Sequence, residues 1–275
     1  MEEWRSREGE IRLLHLLDLL HSFESEASMY EKLGGAIPVL YAPGLERRAG
    51  EARRHLDAGF AALSDIFDVA EPGRDVACYV STMRIEAVIV ADNDWRSAPR
   101  ENERPYPPGL PYFTRSTEPP TLVLPEELSP AIRPRTGATL PLTVWHELAH
   151  AFFLRRPVVK TPAWLREFVP QTASATVAKR EELSLEEHLA RIEHPGFAVR
   201  EFTGAATAKE QMAFQNLLLS LGDAAVEQFG EDFLKRLVHA LWNETEIVDE
   251  KRAEELLDAA LGPGGREWLE ARSEF

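Results

Sequence analysis

The 275-residue chain contains a single cysteine, Cys78, so no internal disulfide framework holds it together, and a reducing compartment fits that usage. Basic residues are scarce beside acidic ones: 31 Lys and Arg stand against 46 Asp and Glu, a formal charge of −15. That balance disfavours a nucleic-acid partner, whose phosphates it would repel, and favours a well-solvated surface. Long apolar runs are absent as well. The leucines between Ile11 and Leu20 are interrupted by Arg12, His15 and Asp18, which argues against a signal peptide, and no other stretch reaches the length of a membrane span. A cytoplasmic location with no membrane partner is therefore expected. The chain also lacks internal repeats, low-complexity tracts, a glycine-rich phosphate loop and a Ser-His-Asp arrangement. Its 44% hydrophobic content is enough to bury a substantial core, as one large unit or as two lobes, which excludes a disordered chain.

The informative stretch is Val144-Trp145-His146-Glu147-Leu148-Ala149-His150. On a helix, residues four apart share a face, so the His146 and His150 imidazoles point the same way one turn apart. Two neutral imidazoles so placed can bind one Zn²⁺ at about 2.0–2.1 Å each, and Glu147 then stands near a metal-activated water as a base. The flanking Leu142, Val144, Trp145, Leu148, Ala149, Phe152, Phe153 and Leu154 make this helix apolar almost all round, the pattern of a buried helix. Two unpaired imidazoles and a carboxylate in such a helix carry a heavy desolvation cost, which a metal ion removes. The alternative, a helical interaction protein with an accidental H-E-x-x-H, requires that metal be absent.

A catalytic zinc site needs a third protein ligand and an open position. No Asp occurs between His150 and Asp223, and Phe153 and Arg156 stand where an H-E-x-x-H-x-x-G-x-x-H continuation would place its Gly and third His. Glu167, Glu181, Glu182, His188, Glu193 and His194 remain as candidates. Glu167 is favoured by its setting: Thr161-Pro162 reads as an N-cap followed by proline at the first helical position, so a second helix begins close to the end of the first. Helices joined by so short a turn pack antiparallel, which lets a Glu on the second face the two imidazoles.

His146-Glu147-Leu148-Ala149-His150 followed by Pro162-Ala163-Trp164-Leu165-Arg166-Glu167 resembles the gluzincin metallopeptidases, and within them the peptidase MA-like group with its P-x-W-L-x-E-G-x-A segment. The resemblance implies a zincin-like α+β fold, with a small antiparallel or mixed sheet beside the H-E-x-x-H helix and a helical lobe after it. It also implies His146, His150 and Glu167 as zinc ligands, Glu147 as general base, and a peptide or protein substrate. Two positions depart from the family pattern, Phe168 in place of Gly and Pro170 in place of Ala. Pro170 deletes a hydrogen bond to the Arg166 carbonyl and predicts a bend beside Glu167. Crowding by these two residues supports an alternative: a zinc-binding module of impaired activity that holds a protein or peptide partner.

Outside the motif the expected organisation is an N-terminal helical segment over 1–70, a catalytic core over 71–180 and a C-terminal helical lobe over 181–275. The Leu13, Leu17, Leu20 spacing predicts an amphipathic helix from Glu2 to about Lys32, and Leu45 to Phe67 predicts a second. Val76–Ser81 and Ile85–Ala91 suggest a hairpin, and Thr121–Leu124, bounded by prolines, an edge strand. Such a strand flanks the active-site helix in zincin folds and pairs with extended substrate. Asn93 to Thr117, rich in proline and aromatic residues, reads as a lid or an insertion, with Tyr106 and Tyr112 as candidate donors to a tetrahedral intermediate. Leu183 to Ile192 predicts a short helix capped by Ser184, with His188 facing solvent; His194, in the loop after it, is a candidate electrophilic helper in catalysis. Four further helices are expected from Ala205 to Arg272, with His239 in a structural role.

Overall fold

Five strands form among the described residues, all but the first carrying β-branched or aromatic residues: β1 (Glu31–Leu33), β2 (Val39–Tyr41), β3 (Glu86–Val90), β4 (Tyr112–Thr114) and β5 (Thr121–Pro125). They belong to a computed structural model that describes residues 30–68, 86–90, 109–115, 117, 119–132, 134–154, 160–192, 196–202 and 207–275. The strands form one mixed sheet in the order β1-β2-β3-β5-β4. β2, β3 and β5 run parallel, while β1 and β4 pair antiparallel at the two edges. Parallel neighbours need a crossover, and helix α1 (Glu46–Ile66) supplies it between β2 and β3, burying Ala49, Ala52, Leu56, Leu63 and Ile66 along one stripe.

Several expectations are corrected here. β5 is an interior strand, because Pro119 and Pro120 precede it and Pro125 ends it, leaving Leu122 to Leu124 free to join ladders on both sides. The edge beside it is β4, drawn from the segment read as a lid. Both sides of β3 are taken by parallel partners where a hairpin was expected, and the Val76–Ser81 half of that hairpin lies outside the described residues. Most of the predicted N-terminal helix also lies outside them, and its last residues instead form β1.

The remainder is helical: α2 (Thr139–Phe153), α3 (Ala163–Arg180), α4 (Glu186–Ala190), α5 (Ala208–Phe229), α6 (Asp232–Asn243), α7 (Glu250–Leu261) and α8 (Gly265–Glu270). The result is an α+β fold, a small mixed sheet followed by helices. The second helix starts one residue later than its cap signal suggested, with Pro162 at the N-cap and the Thr161 hydroxyl buried without a partner. α4 is likewise shorter than expected, with Leu185 at its N-cap and no side-chain cap. α5 opens on a capping box absent from the sequence reading: the Glu210 N–H donates to Thr207 Oγ1 at 3.2 Å and the Thr207 N–H to Glu210 Oε2 at 3.0 Å.

Three buried indoles tie these helices together through hydrogen bonds as well as through area. Trp145 Nε1 donates to the His55 carbonyl of α1 at 2.8 Å, Trp242 Nε1 to the Phe153 carbonyl at 2.9 Å, and Trp164 Nε1 to Glu250 Oε2 at 2.7 Å. Two glycines allow the closest approaches. Gly59 lies under the Trp145 ring, and a Cβ on Gly222 of α5 would fall 2.9 Å from Cα of Thr172 on α3. Since backbone atoms cannot yield as a side chain does, Gly222→Ala has to push α3 and α5 apart. Overpacking of this kind costs about 1–3 kcal/mol. Urea unfolding of Gly222→Ala should show a loss in that range, and an unchanged midpoint would mean that the two helices are not in this contact.

Candidate metal centre

Helix α2 is buried on most of its circumference, and it presents His146 and His150 on one face as the spacing requires. Their Nε2 atoms stand 3.1 Å apart, with the ring planes nearly perpendicular at 87°. α3 packs against α2 and brings Glu167 to the same point: its Oε2 lies 3.4 Å from Nε2 of His146 and 3.5 Å from Nε2 of His150. Ligand atoms held tetrahedrally at about 2.0–2.1 Å from Zn²⁺ are roughly 3.3–3.4 Å apart. The three separations are compatible with a single ion, which makes Glu167 a candidate ligand beside His146 and His150. Glu147 completes the group, since ligand atoms of His146, Glu147 and His150 lie within 4.8 Å of one another.

The electrostatics follow from burial. Desolvation pushes the Glu147 carboxyl up from its ordinary value, against the opposing pull of His146 and His150 and a hydrogen bond from the backbone of Phe113 on β4. Burial would raise Glu167 too, but the adjacent imidazoles, His150 foremost, hold it well below the usual carboxylate range. Burial likewise opposes charge on His150, and Glu167 overcomes it, so that imidazole is pushed up. Two histidines converging on one carboxylate form the set that a divalent cation would replace. His146 Nδ1 is buried without a hydrogen-bond partner, whereas a ligating imidazole usually anchors its second nitrogen.

The site opens into a cleft of about 710 Å³. β4 supplies one wall through Tyr112 and Phe113, and α5 another through Gln211, Gln215 and Asn216. Phe168 does not crowd this space: it is fully buried in the core near Phe233, and neither it nor Pro170 lines the cleft. α3 runs on through Pro170 without a break.

Of the other sequence candidates, Glu181 and Glu182 are exposed at the far end of α3, away from the cleft. Tyr112 lines the cleft from β4, while Tyr106, Glu193 and His194 lie outside the described residues. His188 corrects an expectation, because it is buried instead of solvent-facing, borders the cleft and shares a 2.9 Å hydrogen bond between Nδ1 and Thr136 Oγ1. The sequence reading missed Gln215 and Gln171, which touch Glu167 directly and at one remove. A signal was present in α5, where Gln211, Gln215 and Asn216 interrupt a stripe that otherwise reads Phe214, Leu217, Leu218 and Leu221. No protein-family model matches the chain, and no curated protein matches it in sequence. No helix among the described residues is long and apolar enough to cross a membrane.

Burial lowers the His188 imidazole from 6.5 to about 4. As pH falls, the unfolded chain takes up this proton before the folded one does. His188 therefore has no effect above 6.5, opposes folding progressively between 6.5 and about 4, and levels off below that. Nuclear magnetic resonance should show the His188 ring staying neutral until about pH 4. In urea unfolding across the same range, His188→Gln should lose less stability on acidification than the native protein. A ring that titrates near the ordinary value would contradict its buried placement.

Proposed function

We propose that this chain is a gluzincin-type zinc metallopeptidase, with His146, His150 and Glu167 as the ligands and Glu147 as the general base. The observation that carries the reading is the set of three ligand-atom separations, 3.1, 3.4 and 3.5 Å, at the wall of a cleft. The donor set of two imidazoles and one carboxylate suits zinc and leaves a fourth position open. When bound, the ion would supply Lewis acidity, bringing a water toward a pKa near 7 and polarising a carbonyl.

The remaining work falls to side chains of this protein. Glu147, its carboxyl pushed up by burial, takes the proton of the attacking water and returns it to the leaving amine. β4 ends the sheet and borders the cleft, so an extended peptide can lie along it beside the Phe113 backbone group that meets Glu147. On this reading β4, and not the Thr121–Leu124 segment as the resemblance implied, takes the substrate-pairing role. The placement of Phe168 and Pro170 outside the cleft lining removes the crowding that favoured an inactive binding module.

Purified protein should carry close to one Zn²⁺ per chain by elemental analysis, and chelation should lower its unfolding temperature, since a metal bound only to the folded state stabilises it. Glu147→Gln should retain the metal and lose hydrolysis of a peptide library by a factor of about 10²–10⁴. Glu167→Ala should lower zinc affinity by orders of magnitude, whereas His194→Ala should leave occupancy intact. Metal loss in Glu147→Gln would overturn the base assignment. Metal loss in His194→Ala but not in Glu167→Ala would make the site a three-histidine one.

A further inference from the structure

Glu167 has a further polar neighbour besides the imidazoles. Gln215 of α5 donates from Nε2 to Glu167 Oε2 at 2.8 Å, the same oxygen that approaches His146 and His150. Behind it, Gln171 of α3 donates from Nε2 to Gln215 Oε1 at 2.6 Å. Gln171 is buried and stands one helical turn beyond Glu167, so Gln215 reaches across from α5 to bridge two successive turns of α3.

The polarity of this chain is set from one end. A carboxylate that holds a metal is ionised and can only accept, so Gln215 must turn its amide nitrogen toward Glu167. Its carbonyl oxygen then faces Gln171, which can meet it only as a donor. Neither amide can flip without losing a hydrogen bond in a partly buried site, and each fixes the other's orientation.

Resting on the zinc reading above, we propose that Gln215 and Gln171 form an amide relay that sets the rotation of the Glu167 carboxylate and presents Oε2 as a single-oxygen ligand. Gln215 is the positioning residue, and Gln171 acts only through it. Groups that orient a ligand from behind typically change metal affinity by about 10–100-fold when removed. A pair that served only to satisfy buried polarity would alter stability and leave the metal site as it was.

The test uses full-length protein stripped of metal and titrated with zinc against a competing chelator, comparing native protein with Gln215→Met, Gln171→Met and the double variant. Methionine keeps the length of the side chain and removes the donor. Gln215→Met should weaken zinc binding by about 10–100-fold, and Gln171→Met by less. The double variant should bind like Gln215→Met alone, because the outer amide has nothing left to orient. In the cobalt-loaded proteins, the visible absorption bands should change for Gln215→Met and shift the same way, by less, for Gln171→Met.

Native affinity in Gln215→Met with an unaltered cobalt spectrum would overturn the relay while leaving the zinc reading standing, and so would losses that simply add in the double variant. If the native protein takes up no zinc, the reading itself fails and the relay with it. Gln215→Leu serves in the same comparison should Gln215→Met misfold by circular dichroism.

Discussion

Helix α2 is enclosed by α1, α3 and the sheet, yet it carries two imidazoles and a carboxylate into that enclosure. Moving such groups out of water is costly unless each finds a partner, and the surroundings of α2 answer that cost one group at a time. Glu167 faces both imidazoles from α3, the Phe113 backbone meets Glu147 from β4, and the remaining gap between three ligand atoms has the dimensions of a divalent cation. The sheet edge, α3 and α5 each contribute a group or a wall to this arrangement. Metal content separates a metal site from a buried polar cluster here, and turnover of peptides separates a peptidase from a zinc-bound binding module.

The two parts of the site came from different kinds of information. His146, Glu147 and His150 were legible because their spacing is local: a helix with that period must place the rings together whatever surrounds it. Glu167 was legible through its family-like segment and the short connection that precedes it, even though its helix begins one residue away from the cap that was read. Gln215 was not legible, since it meets Glu167 across 48 residues of sequence, and nothing in a polar residue on a helix says which buried carboxylate it will find. His188 failed in the opposite direction. Its helix looks amphipathic and exposed, but the loop carrying Thr136 covers it, and that cover comes from a different part of the chain.

The sheet shows the same limit. The strand character of Thr121–Pro125 was clear from Leu122, Val123 and Leu124, but its position was misread because flanking prolines resemble an edge signal. Those prolines sit at the ends, where no interior ladder bond is lost. β4, with three residues between proline-rich neighbours, carries too short a pattern to register as a strand, although it forms the edge that matters to the cleft.

The close spacing of the ligand residues along the chain also has a bearing on how the molecule is made. His146, His150 and Glu167 belong to two successive helices, so bringing them together closes only a short loop and costs little chain entropy. Gln215 lies on a helix that leaves the ribosome later. If the proposed zinc site is correct, a nascent chain would carry all three candidate ligands before Gln215 exists, and an ion taken up at that stage would be held loosely until α5 docks. On the zinc reading proposed above, metal capture and the final tightening of the site would be separate events, ordered by the direction of synthesis.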